Sequence, residues 1–163
     1  MRADRLRTFA WGGLFAATLT LMTVAAAAVW IEQADERRAA FRAAEVRCLA
    51  ENVYYEARGE QLVGQYAVAE VTMNRVASRA FPSTVCEVVH MRGAFSWTYE
   101  APDLAPPYGY EWRRARAVAS SVYDNIEAPL VNGALFYHAT YVSPDWAATR
   151  SQVARLGRHL FYL

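Results

Sequence analysis

The carboxylate best placed to do chemistry is Glu56. Leu49, Val53 and Glu56 are spaced i, i+4 and i+7, so on a helix the carboxylate lies along the apolar stripe, not on the wet side. A carboxyl group held among apolar side chains resists ionising, stays protonated near neutral pH and can give its proton to the oxygen of a glycosidic bond. The competing reading is a structural ion pair between Glu56 and an arginine such as Arg58 or Arg75, and periodicity alone does not separate the two. A hydrolase that uses two carboxylates needs a second one about 5–9.5 Å away. Glu60, Glu70 and Asp145 are the candidates, although Gly59 is expected to break the helix between Glu56 and Glu60.

His90, His138 and His159 raise a second possibility, a zinc-bound water that attacks a peptide cross-link. No His-Glu-x-x-His occurs and the spacing is not that of a metal site. No metal or cofactor is expected, and structural hydrogen bonding is the plainer role for these histidines. Cys48 and Cys86 are the only cysteines. Both follow the apolar N-terminal stretch, in the part expected to be exported, where oxidising conditions allow a disulfide. They are expected to pair, closing a loop of about 38 residues. A cysteine nucleophile is the less favoured reading.

The elements that position these groups follow from patterning. Residues 9–31 carry no charge, and about 23 residues are enough to cross a bilayer as a helix. Trp11 and Trp30 lie near the two ends, Arg2, Arg5 and Arg7 precede the stretch, and Glu32, Asp35 and Glu36 follow it. That asymmetry puts the N-terminus in the cytoplasm and the rest outside. The expectation is a single-pass inner (cytoplasmic) membrane protein touching lipid through residues 9–31, with a cleaved signal or an anchor released after export as alternatives. The stretch is rich in Ala, Gly and Thr, so its hold on lipid is expected to be weak, and the short distance in sequence from residue 31 to Glu56 favours release.

Residues 1–36 then form the cytoplasmic tip, anchor or signal and a short linker, and residues 37–163 form one domain. Hydrophobic residues make up 55% of the 163 and charged residues 20%, with ten Tyr, seven Phe and five Trp, which excludes a disordered chain. The net charge of +1, with no arginine run, argues against a nucleic-acid partner. Within the domain, helices are expected over 37–55, from Leu62 to before Phe81, from a Ser83 or Thr84 cap through Val89, and over 110–126. Short strands are expected at 94–98, 134–138 and 159–162, with a loop carrying Pro102, Pro106 and Pro107 at the rim of a cleft. The fold class is α+β, a mainly helical body with a small antiparallel sheet.

Several blocks of this sequence resemble the SleB-type cell wall hydrolases, the spore-cortex-lytic family. They are Asn52-Val53-Tyr54-Tyr55-Glu56-Ala57-Arg58-Gly59-Glu60, Gly64-Gln65-Tyr66-Ala67-Val68-Ala69, Met73-Asn74-Arg75-Val76 and Phe81-Pro82-Ser83-Thr84-Val85-Cys86. Phe95-Ser96-Trp97, Ala134-Leu135-Phe136-Tyr137-His138, Pro144-Asp145-Trp146-Ala147 and Gly157-Arg158-His159-Leu160-Phe161-Tyr162 follow in the same order. The resemblance implies a lysozyme-like or lytic-transglycosylase-like fold and cleavage of the β-1,4 bond between N-acetylmuramic acid and N-acetylglucosamine in peptidoglycan glycan strands. It also implies that Glu56, the first Glu of Glu-Ala-Arg-Gly-Glu, is the catalytic acid. Many exported relatives carry a further cysteine pair where this chain has Ala94 and Tyr99.

Around Glu56, the substrate-binding candidates are Glu60, Asn74, Ser96, Tyr137 and His138, with Asn74, Ser96 and Tyr137 as hydrogen-bond partners for N-acetyl groups or for the catalytic carboxylate itself, and Trp97 and Trp146 as rings on which sugars stack. A transglycosylase needs one acid only, and that route is preferred here over a two-carboxylate muramidase. A zinc-dependent amidase and a non-catalytic wall-binding protein are the other readings, the latter disfavoured because position 56 is Glu.

Overall fold

No Gly or Pro occurs in residues 32–57, and Ala, Glu and Arg dominate there, so nothing separates an N-terminal helix from the one expected over 37–55. The structure is a computed structural model that describes residues 2–100, 109–125 and 128–163, and the side-chain environments of residues 21–99, 109–125 and 128–163. In it these residues form one helix, α1, over Arg2–Ala57. The chain divides into two units, Met1–Arg42 and Ala43–Leu163.

The first unit is helical, and its described hydrophobic residues Leu21, Met22, Val24, Val29, Trp30 and Ile31 are exposed. Among the described residues no helix is long and apolar enough to cross a membrane. The side chains of residues 9–20, the first half of the expected span, lie outside the described residues.

The second unit is built around α2, Leu62–Ala77. α1 ends before Gly59, with Glu60 N–H bonded to Ala57 O at 2.9 Å, and the chain reverses into α2. One side of α2 gives Ala69 to a helical core with Leu49, Val53 and Tyr54 of α1 and with Ala115, Val118 and Ala119 of α5, Tyr110–Tyr123. Another side gives Ala67 and Val71 to a second core with Val131, Ala134 and Phe161. Burial on two sides explains why α2 reads as apolar almost throughout.

α3, Val85–Val89, is short, and its N-terminus is capped twice. Thr84 Oγ1 accepts from Glu87 N–H at 3.3 Å, the expected cap. The buried Glu45 of α1 also accepts from Val85 N–H at 2.6 Å and from Cys86 N–H at 3.2 Å. A Cys48–Cys86 disulfide adds a covalent tie between α1 and α3.

Residues 94–98 do not form the expected strand. Ala94 N–H bonds Met91 O and Thr98 N–H bonds Phe95 O, and the Thr98 hydroxyl also donates to Phe95 O at 2.8 Å. The chain turns into a one-turn helix, α4, at Trp97–Glu100. The alternation of buried Phe95 with half-buried Trp97 imitates a strand, but these local bonds win. The Pro102, Pro106 and Pro107 loop lies outside the described residues.

The sheet has three antiparallel strands in the order β1-β3-β2. β1 is Phe136–Ala139, β2 Gln152–Leu156 and β3 His159–Tyr162. β1 and β3 fall where two strands are expected. β2 is an addition. Its sequence, Gln-Val-Ala-Arg-Leu, lacks strict alternation, and a register irregularity between Gln152 and Ala154 explains why. A 3-10 turn at Asp145–Thr149 leads into it.

Candidate active site

Glu56 projects from the last full turn of α1 and is only partly exposed. Tyr137, on β1, donates its hydroxyl to Glu56 Oε2 at 3.0 Å. Burial raises the pKa of Glu56 above the ordinary carboxylate range, outweighing the Tyr137 hydrogen bond and the positive charge of Arg75, both of which lower it. The Tyr137 phenol is itself pushed well up by burial and by the neighbouring carboxylate, so it stays protonated and remains a donor. With the phenol donating to Oε2, the acidic proton of Glu56 belongs on Oε1.

Neither arginine considered as an ion-pair partner closes onto Glu56. Arg58 is exposed and lies over the Tyr54 ring, 4.9 Å from its centroid. Arg75 donates its Nε–H to Leu135 O at 2.8 Å.

Glu60 lines the same small pocket as Glu56, of about 110 Å³, together with Ala139, Tyr141, Arg158 and His159. Its carboxylate is already committed. Arg158 donates its Nε–H to Oε1 at 2.6 Å and its backbone N–H to Oε2 at 3.1 Å. Burial raises the pKa of Glu60, but these bonds and the charge of Arg158 together bring it below the usual value. Two glycines make room for this group. A Cβ on Gly64 would stand 3.2 Å from Glu60 Cβ, and one on Gly157, whose φ is +57°, would stand 2.5 Å from Glu60 Oε2. Glu60 is therefore ionised and holds the β2–β3 turn against the start of α2.

The other carboxylates lie elsewhere. Glu70 accepts from Leu130 N–H at 2.6 Å and Val131 N–H at 3.1 Å, and so anchors the chain ahead of β1. Asp145 is exposed in the 3-10 turn. Neither lines the Glu56 pocket.

The expected binding residues divide between places. Trp97 stacks on Tyr55, the neighbour of Glu56 in α1, with ring centroids 4.6 Å apart; Ser96 beside it is exposed. Asn74 is not with Glu56. It donates to Ala134 O at 3.1 Å and lines a separate cavity of about 330 Å³ with Tyr66, Glu70 and Leu130. That cavity is the larger of the two, and the one carboxylate lining it, Glu70, is taken up by two backbone N–H groups.

His138 and Trp146 are also placed apart from Glu56, because successive strand residues point to opposite faces. Tyr137 meets α1, whereas His138 stacks on Tyr162 at 5.2 Å and meets the Trp146 edge at 5.5 Å. His138 Nδ1 is 2.9 Å from Ala139 O and Nε2 is 2.9 Å from the Tyr162 hydroxyl. A carbonyl oxygen only accepts, which assigns the proton to Nδ1.

The three histidines do not converge: His90 ends α3 beside Trp97, His138 lies in β1 and His159 in β3. Among the described residues, the grouping with metal-ligand spacing is Cys48, Glu51 and His90, but the Cys48 sulfur is in the disulfide and offers no thiolate.

Arg75, Tyr141, Arg158 and His159 complete the surroundings of Glu56; the sequence named Arg75 only as a possible ion-pair partner and His159 only as a possible zinc ligand, and it did not single out Tyr141 or Arg158. Arg158 is tied to Glu60 across 98 residues, a separation that no local pattern bridges. The charged residue at position 158, inside a block shared with the family, was the one available signal.

The profile of the cell wall hydrolase family matches residues 59–162, beginning just after Glu56. The chain is 36% identical over 117 residues to a spore cortex-lytic enzyme of Bacillus subtilis, covering 72% of this chain and 37% of that protein. It is 31% identical over 119 residues to a spore cortex-lytic enzyme of Bacillus cereus, covering 72% of this chain and 43% of that protein. It thus spans less than half the length of these curated relatives.

Among solved structures, the catalytic domain of the Bacillus cereus SleB protein superposes with a TM-score of 0.59 at 29% identity, covering 73% of this chain and 89% of that one. The catalytic domain of the germination-specific lytic transglycosylase SleB from Bacillus anthracis gives 0.63 at 30% identity, covering 73% and 93%.

Proposed function

The chain belongs to the cell wall hydrolase family, and from that premise we propose that it cleaves peptidoglycan glycan strands between N-acetylmuramic acid and N-acetylglucosamine as a lytic transglycosylase, with Glu56 as its only acid and base. The observation that carries this reading is the pairing of Glu56, its pKa raised by burial, with the hydroxyl of Tyr137. Glu56 gives its proton to the glycosidic oxygen as the bond from that oxygen to the anomeric carbon of the muramic acid breaks. The carboxylate then takes the proton of the 6-hydroxyl of the same sugar as that oxygen bonds to the anomeric carbon. The acid is regenerated and no water is consumed.

The state of Glu60 favours this route over a two-carboxylate muramidase. A carboxylate already accepting two bonds from Arg158, and held below its usual pKa, is a poor base for activating water. Tyr141, 82% exposed at the pocket, and the Trp97 ring offer surfaces on which sugar rings stack. Mass spectrometry of a digest of purified wall tests the reading. Glycan fragments ending in 1,6-anhydro-muramic acid, lighter by one water than reducing ends, are the expected result. Reducing muramic ends in a fresh digest would instead establish hydrolysis.

We further propose that the protein is exported across the inner membrane and tethered to it by residues 9–31. The charge asymmetry across that stretch supports this, as do the exposed side chains from Leu21 to Ile31 and a disulfide, which belongs in an oxidising compartment. The tether is weak enough to let go after export. Replacing Ala and Gly between positions 12 and 28 by Leu should hold the protein in the membrane fraction and reduce lysis. Lysis equal to that of the parent would count against release.

A further inference from the structure

We propose that Arg75 is a positioning residue for this reaction: from α2 it clamps the start of β1 so that Tyr137 meets Glu56, and it sets a buried positive charge behind the pair. The inference rests on the reading of Glu56 as general acid. Arg75 is buried, with 8% exposure. Its Nε–H donates to Leu135 O at 2.8 Å, two residues ahead of the tyrosine that bonds Glu56. The guanidinium is boxed by three rings from three segments, with its centre 5.4 Å from the Phe81 centroid, 5.3 Å from Phe95 and 6.0 Å from Phe136. Such a box fixes a planar cation.

A buried arginine ordinarily faces a carboxylate in a direct ion pair, because desolvation is costly otherwise. Among the described residues Arg75 has none, and its Nη1 lacks a hydrogen-bond partner. Burial lowers its pKa, and the ionisable groups that act on it in the opposite sense are Tyr137 and Glu56. The cation is thus uncompensated while Glu56 is protonated, and becomes compensated when Glu56 gives its proton away. That is a charge poised for the anionic state of the acid, not for its resting state. Other charges near Glu56 are already accounted for: Glu60 and Arg158 neutralise each other, and burial lowers the pKa of His159.

The test compares full-chain R75M and R75K with the parent and with E56Q, following turnover of purified peptidoglycan against pH and checking folding by circular dichroism. R75M is expected to lose about 10- to 100-fold in turnover and to move the alkaline limb of the pH profile upward, since Glu56 no longer feels the cation. R75K keeps the charge, and so the limb, but loses the fork that reaches Leu135 and about tenfold in turnover. A folded R75M with an unmoved limb overturns the proposal, and so does R75K with parental turnover; should R75M fail to fold, the turnover of R75K decides. If E56Q retains activity, the general-acid reading itself fails. An inactive E56Q beside parental arginine variants removes only the role of Arg75.

Discussion

Tyr137 and Glu56, separated by 81 residues in the chain, meet at 3.0 Å between the phenol oxygen and Oε2. The contact joins the end of α1 to the middle of β1, so the acid is oriented by a residue far from it along the chain. It also distinguishes the two carboxylate oxygens, since Oε2 accepts from the phenol and the acidic proton falls to Oε1.

Glu56→Gln removes the proton while keeping size and polarity, and turnover of purified wall should fall by about 10²- to 10⁴-fold. Stability should change little at acidic pH. Because the folded-state pKa is raised, the group binds more protons folded than unfolded, so parental stability declines as pH rises through that pKa. The Gln variant should lack this part of the decline in denaturant melts taken across the range. A variant with more than about a tenth of parental turnover would rule out Glu56 as the acid.

The wild-type pH profile carries the same sign. Activity that depends on protonated Glu56 should fall as pH rises through a pKa above that of ordinary carboxylates, giving an alkaline limb displaced upward from where an exposed glutamate would put it. An alkaline limb at the ordinary glutamate position would contradict burial of the acid in the working enzyme.

Tyr137→Phe deletes the hydroxyl and leaves the ring that packs on Phe161 at 5.8 Å. That hydrogen bond lowers the pKa of Glu56, so its loss should move the alkaline limb further upward. Turnover should fall about tenfold, as expected for one oriented hydrogen bond. Parental kinetics in this variant would show that the contact has no part in catalysis.

Glu60→Gln is expected to act on stability before chemistry. The carboxylate is buried but Arg158 is 66% exposed, so solvent discounts the pair, and about 1–2 kcal/mol is expected at neutral pH. With a folded-state pKa below the unfolded one, this contribution is present above the unfolded value and disappears as pH falls through the folded one. The parent and the variant should therefore converge in acid. Gly157→Ala should destabilise through the same contact, because its φ of +57° and its approach to Glu60 both resist a side chain. Equal melting of parent and Glu60→Gln at neutral pH would remove the structural role.

Replacing Cys48 and Cys86 by Ser should lower stability by at most about 4 kcal/mol, the chain-entropy value for a loop of this length. Glu45, which holds the α3 N-terminus independently, should keep the helix docked at low temperature. Thermal melts with and without reductant on the parent provide the comparison. A parent indifferent to reductant would mean that Glu45 and the core suffice.

Sequence alone determined whatever depends on local spacing. The i, i+4, i+7 stripe put Glu56 on the buried side of α1, because a helix brings residues to one face every three or four positions whatever surrounds it. The Thr84 cap, the Gly59 break and two of the three strands were legible for the same reason. The helix-like turn at 94–98 was not, since burial of Phe95 and half-burial of Trp97 look the same in a strand. Nor was β2, whose pairing with β3 overrides a weak pattern.

What only the tertiary structure decided is which distant groups meet. The sheet pleat sends Tyr137 to Glu56 and its neighbour His138 to Trp146 and Tyr162. The turn between β2 and β3 brings Arg158 to Glu60, converting a candidate second carboxylate into an anchor, and α2 carries Arg75 beneath the strand that presents Tyr137. Charges change one another's behaviour over a few ångströms of space, while sequence records only their separation along the chain, so the acid was readable from the chain, Tyr137 was one of three candidate partners, and the charged company of Glu60 and Arg158 was not.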